Sequence, residues 1–158
     1  MKTLVLGMGN ELYGDDAVGI HVVRRMRPEI GEEIACEECS ISGLAILDVI
    51  EGYDRLVIID TIKKTHPKTG RITVLEEAQL RHIPGPSPHY VSVPQAIAIG
   101  KRLGLRVPKD IRIVAVEAKG LYDLGEGLSE EMKNSIPTII EHVKEVLSSL
   151  DQNQTANT

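Results

Sequence analysis

The chain has 158 residues (17.3 kDa), a formal charge of −5, a pI near 5.5 and an apolar fraction of 42%. The acidic balance, with no Phe or Trp and only four Tyr, argues against a nucleic-acid binder, which needs a basic surface and aromatic platforms for bases. No apolar run is long enough to cross a bilayer, so the reading is a cytoplasmic α/β domain over residues 1–150 with a frayed polar tail at 151–158.

In chain order, KTLVLG reads as a buried strand that feeds the turn GMGN. Strand, close glycines and a following helix are how a dinucleotide-binding loop opens. Its third glycine would fall at position 12, which is Leu12, and adjacent carboxylates, Asp15 and Asp16, stand where phosphate would sit. A nucleotide-binding role is therefore disfavoured. The helix that follows carries Gly19, Val22, Val23 and Met26 on one face. Successive helical residues diverge by about 100°, so one acid is free to cap while the other projects.

EEIACEEC reads as the second strand. Its C-x-x-C pair, Cys36 and Cys39, lies between glutamates in a strand rather than at a strand-to-helix turn, and one pair cannot close a tetrahedral zinc site. The cysteines are therefore read as structural. Ser42 is placed to cap a helix over GLAILDVIEG that stops at Gly52. RLVIIDTI is apolar on both faces, which predicts the centre of a parallel sheet. KKTHPKTG reads as a polar loop and RITVLE as an antiparallel edge strand. RHIPGPSPH cannot be regular structure and delivers a helix from about Pro94 to residue 103. IRIVAVEA is the last strand, KGLYDLGEGLS a long loop, and Ser129 caps a final helix that Pro137 kinks or divides. The sum is a three-layer α/β sandwich: a mostly parallel sheet of about five strands with helices on both faces.

Ligands of such sheets bind beyond the carboxyl ends of the strands. Asp15 and Asp16 follow the first strand, Asp60 ends the third, and His89 closes the proline-rich loop; Glu117 and Lys119 follow the last strand. His66 and His82 read as ordinary loop residues, and His21 and His142 as helix-surface residues. Two carboxylates and an imidazole suit a divalent transition ion with positions left open for substrate. Two aspartates sharing a proton would instead give acid-protease chemistry. No G-x-S-x-G elbow is present, so a serine nucleophile has no support.

Carried on these residues, the chain resembles the nickel-iron hydrogenase maturation endopeptidases. LVLGMGNELYGDDAVG is similar to that family's opening signature, and SGLAILDVIEGYDRLVIIDTI to its second block. SPHYVSVPQAIAIGKRLG is similar to its histidine-bearing helix start, and GEGLSEEMKNSIPTIIEHV to its closing segment. The resemblance implies an endopeptidase, aspartic-type by family classification, that removes the C-terminal extension of the hydrogenase large-subunit precursor after nickel insertion. Asp16, Asp60 and His89 are its implied catalytic and metal-contacting residues. The nickel is expected to arrive with the substrate, and the protein is expected to be a monomer with no nucleic-acid or membrane partner. One stretch departs from the pattern: where the family commonly has Asp-Gly-Gly-Thr-x-Gly, this chain has ECSISG, residues 38–43. A non-catalytic nickel-binding or chaperone module and a general metallopeptidase with its own ion are the alternatives.

Overall fold

Which face a strand buries is set by alternation, and here both faces are apolar. In the computed structural model, residues 1–41, 43–80, 88–121, 123–125 and 127–155 are described; the side chains at 80, 88–92, 94, 154 and 155 are not. Strand β1 (Thr3–Met8) is buried along its whole length, as is β3 (Arg55–Ile62). Strand β2 (Ile34–Cys39) is the partly exposed edge beside β1. Strand β4 (Ile72–Glu76) forms the opposite edge, and β5 (Asp110–Glu117) lies inside it. The strand order is β2-β1-β3-β5-β4, parallel except for β4, which pairs antiparallel with β5. The central place expected for the doubly apolar strand and the antiparallel edge are both present.

The helices are α1 (Val18–Met26), α2 (Ile46–Ile50), α3 (Glu77–Leu80), α4 (Pro88–Arg102) and α5 (Glu130–Thr155). Val5, Val57, Ile59, Val114 and Val116 point from the sheet into a core closed by α1 and α5. Leu4, Leu6, Leu56, Ile58 and Ile113, one residue out of phase, point into a second core closed by α2 and α4. Side chains this fully buried contribute about 1.5–3 kcal/mol each, so the central strands carry much of the stability. Cys36 belongs to the first core and Cys39 to the second. Facing opposite layers, the thiols are free and buried, in keeping with a structural role.

Two close approaches explain the glycines near the start. A Cβ on Gly7 would stand 2.2 Å from the Gly19 carbonyl oxygen, and one on Gly19 would stand 2.3 Å from that of Ile59. Helix α1 thus rests directly on the backbone of β1 and β3, and any side chain at either glycine would lever it away.

Several boundaries differ from expectation. The first helix opens with a 3-10 turn (Gly14–Ala17) before α1 proper. Helix α2 is short and follows a 3-10 turn (Gly43–Ala45), with Gly52 beyond it at φ 88°; Ser42, expected as its cap, lies outside the described residues. Helix α4 starts at Pro88, not near Pro94. Both prolines suit a first turn, where the missing N–H is unpaired anyway, and the earlier one takes it. Helix α5 continues unbroken through Pro137. Pro137 and Lys133 are exposed, so the carbonyl that loses its partner can turn to water. The same helix extends to Thr155, into the segment read as a tail.

Candidate active site

Strand order decides where a site can form. From β1 the chain moves outward to β2, then returns across β1 to β3, so consecutive connections leave in opposite directions at the β1–β3 boundary. Such a switch point opens a crevice at the carboxyl ends of the two strands. Asp16 follows β1 and Asp60 lies near the end of β3, on the two sides of that crevice.

Both acids are buried, Asp16 at 6% exposure and Asp60 at 0%. Thr61, also buried, joins them. Its backbone N–H donates to Asp60 Oδ1 at 2.8 Å, and its hydroxyl donates to Asp16 Oδ1 at 2.7 Å. The backbone N–H of Asn10 donates to Asp16 Oδ2 at 3.0 Å. These neutral donors fix the orientation of the carboxylates without adding a countercharge of their own. Alternation along β3 sends Thr61 toward the α1 layer, with Val57 and Ile59, and Asp60 toward the α2–α4 layer, with Ile58 and Ile62. Asp60 therefore faces the side on which α4 begins, and His89 is the second residue of that helix. The His89 side chain lies outside the described residues. Among the described residues no group of three His, Cys, Asp or Glu is placed to hold a metal ion.

The neighbouring acid has a different duty. Asp15 accepts the backbone N–H of Ser129 at 2.7 Å and its hydroxyl at 2.8 Å, and the Ser129 hydroxyl in turn accepts the N–H of Met132 at 3.2 Å. Ser129 thus caps α5 as the sequence predicts, while Asp15 clasps the cap from across the chain. Of the pair, Asp16 points into the crevice and Asp15 fastens the turn. The turn is further tied by Gly14 N–H to the Gly125 carbonyl at 2.9 Å and Gly125 N–H to the Leu12 carbonyl at 3.0 Å. Within it, the Asn10 side chain accepts the N–H of Leu12 at 3.0 Å.

On the β2 side, Arg24 of α1 joins two acids. It meets Glu38 through Nε and Nη2, both at 3.0 Å, and Glu11 through Nη1 at 2.7 Å. The Arg24 hydrogen bond holds the Glu11 carboxyl below the usual range. Glu38, the acid at the start of the divergent ECSISG stretch, is therefore engaged by arginine. An open hollow between this clamp and the crevice is lined by Asn10, Leu12, Ile20, Cys39 and Ser40. Burial pushes the Cys39 thiol up, and the charge of Asp60 adds to the effect while the Ile41 carbonyl bond opposes it.

The remaining rim residues divide. Glu117 is buried at 3% exposure and accepts the N–H of Lys68 at 3.3 Å, which makes it a loop anchor. Lys119 and His66 are exposed, His21 and His142 are partly exposed, and His82 lies outside the described residues. Sequence reasoning passed over Thr61 and Asn10. Thr61 did carry a signal: a hydroxyl next to an acid, inside a strand otherwise filled with apolar side chains. Asn10 acts through its main chain, which no residue pattern marks.

The chain is similar to known proteins in both sequence and fold. A family model described as hydrogenase maturation protease matches residues 39–146. A putative hydrogenase maturation protease of Methanocaldococcus jannaschii is 30% identical, covering 92% of this chain and 90% of the relative. The hydrogenase expression/formation protein HupD of Bradyrhizobium diazoefficiens is 25% identical, over 93% of this chain and 78% of the relative. Among solved structures, the fold is similar to that of the hydrogenase maturating endopeptidase HybD of Escherichia coli, with a TM-score of 0.79, 24% identity, and 94% and 93% of the two chains covered.

Proposed function

The chain belongs to the hydrogenase maturation protease family, an endopeptidase by that membership, and on this premise we propose what it cuts and how it selects it. It removes the C-terminal extension of a nickel-iron hydrogenase large-subunit precursor once nickel is in place. It recognises the nickel of the substrate through Asp16, Asp60 and His89. The observation that supports this reading best is the pair of buried carboxylates joined by Thr61 at the switch point of the sheet.

Burying carboxylates weakens a fold unless something returns the loss. Here the return is a preset pair of hard oxygen ligands, oriented before substrate arrives. With an imidazole added, the set suits a divalent transition ion, and it leaves coordination positions for ligands the precursor already supplies. An ion shared between precursor and protease contributes binding energy only when it is present, so loaded precursor is chosen over empty precursor by differential affinity. His89 must be neutral to donate a lone pair, so recognition weakens as acid protonates it.

The test is to incubate the purified protein with apo and nickel-loaded precursor and follow the substrate C-terminus by mass spectrometry. Shortening of the loaded form alone is expected. Equal shortening of both forms would overturn nickel sensing. Binding of the loaded form without shortening would make the chain a nickel-binding module, and tight stoichiometric metal in the purified protein would make it a self-loaded metallopeptidase.

A further inference from the structure

Beyond Asp60 the rim changes sign. From Thr61 to Leu75 the chain carries Lys63, Lys64, Lys68 and Arg71 and no acid, and Lys119 follows β5, in a protein of net charge −5. Strand register gathers these residues. Ile62 pairs with Glu117 at the ends of β3 and β5, and the Glu117 N–H donates to the Arg71 carbonyl at 2.8 Å just before β4. Lys63, Arg71 and Lys119 therefore leave the sheet from adjoining strand ends. All five cations are exposed.

The loop that carries them is anchored. Gly70 N–H donates to the Glu117 carbonyl at 2.9 Å, and Lys68 N–H to the Glu117 carboxylate at 3.3 Å. A Cβ on Gly70, whose φ is 86°, would come within 2.0 Å of Ser135 Oγ on α5, so the loop lies against that helix. The Glu117 carboxylate also stands 3.8 Å from Arg71 Nε, so part of the charge of Arg71 is matched from below. Asp123 is the next acid along the chain after Lys119. Like charges on an anchored loop repel, and the bonds from the Gly70 and Lys68 main chain to Glu117 leave the Lys68 ammonium outside them. Lys63 lies three residues beyond Asp60, about 10 Å along an extended chain, so a protein seated at Asp60 also covers this rim.

We propose that this basic rim docks an acidic face of the protein substrate and steers it onto the Asp16–Asp60 crevice. The inference rests on the reading of the chain as a processing endopeptidase. Charge complementarity names the partner: an acidic polypeptide surface, because the protein as a whole is acidic and lacks Phe and Trp with which to stack bases. Steering acts on encounter, so its loss lowers kcat/KM and leaves kcat.

The test compares wild type with Lys64→Glu/Lys68→Glu/Lys119→Glu and with the milder triple change to Gln, which guards against misfolding in the reversed variant. Affinity for nickel-loaded large-subunit precursor and cleavage kinetics are read at about 20 mM and about 300 mM salt, on either side of effective screening. The reversed variant is expected to lose about tenfold or more in kcat/KM and in affinity at low salt, and the Gln variant less. Both should keep kcat within about twofold, with the differences closing at high salt. Equal low-salt affinity for all three proteins overturns the proposal, as does wild type that fails to bind precursor at low salt. Lysine-dependent binding of a DNA duplex, with precursor binding unchanged, overturns it in favour of nucleic acid. If wild type binds precursor in a lysine-dependent manner but cuts nothing, docking stands and the processing reading falls.

Discussion

The two ends of the sheet use aspartate in opposite ways. At the amino ends of the strands, Asp54 accepts the Lys2 N–H at 2.8 Å and meets Arg106 at 2.7 Å. Arg55, buried, meets Asp151 at 2.7 Å, and Asp110 meets Arg112. The Arg106 bond, with the Lys2 backbone behind it, holds the Asp54 carboxyl below its usual range. At the carboxyl ends, Asp16 and Asp60 are deeper and take hydrogen bonds from a threonine and a main-chain N–H. A pair such as Asp54–Arg106, whose arginine is exposed, stabilises weakly and tolerates loss, whereas burying a carboxylate is costly. Residue type alone does not separate the two cases; depth does.

Replacing the deep acids should show the largest contrast. Asp16→Asn or Asp60→Asn is expected to reduce cleavage of nickel-loaded precursor by about 100-fold or more, with circular dichroism unchanged. Activity within twofold of wild type would remove these residues from the site. Thr61→Val comes next. It keeps the shape but withdraws the hydroxyl from Asp16, and should lower cleavage about tenfold and stability by about 1–3 kcal/mol, with Thr61→Ser restoring both. A stability loss with full activity would make Thr61 a packing residue only.

At the opposite end the effect should be on stability alone. Asp54→Asn should leave cleavage unaltered and lower Tm slightly at neutral pH. Because the folded carboxyl titrates below its ordinary value of 3.8, its contribution is present above that value and is lost as pH falls through the lowered one. The Tm gap between variant and wild type should therefore narrow below about pH 4. A gap that widens in acid would contradict the assignment. The smallest effect links the site to a thiol. Burial keeps both thiols protonated, and Asp60 adds to this at Cys39 alone. Asp60→Asn should speed thiol-reagent labelling of Cys39 by about twofold or less relative to Cys36. Equal acceleration at both would signal general loosening instead.

Much of this was legible in the order of residues. The doubly apolar RLVIIDTI dictated a central strand, and strand ends alone brought Asp16 and Asp60 to one rim. What sequence misjudged was a choice between equals: Pro88 and Pro94 are both fit to open α4, and the sequence does not rank them. Pro137 was expected to kink or divide α5, and the helix is not divided, because the Lys133 carbonyl that loses its partner lies on an exposed face. Thr61 as a bridge, and Asp15 as a clasp on Ser129, needed chain segments far apart to be already docked. Local rules reach along a turn of helix or across a strand, and these contacts exist only after the tertiary fold has formed.

The clasp between Asp15 and Ser129 spans 114 residues, and that span sets a schedule. A ribosome delivers the acidic turn well before its fastening. Until Gly125 and Ser129 have emerged, the turn bearing Asp16 has lost the cross-chain ties that hold its outer side. Contacts of such long sequence separation form late, after the costly closure of the intervening chain. The turn that carries Asp16 therefore gains its outer ties only once the 114 residues that follow Asp15, through Ser129, have been made.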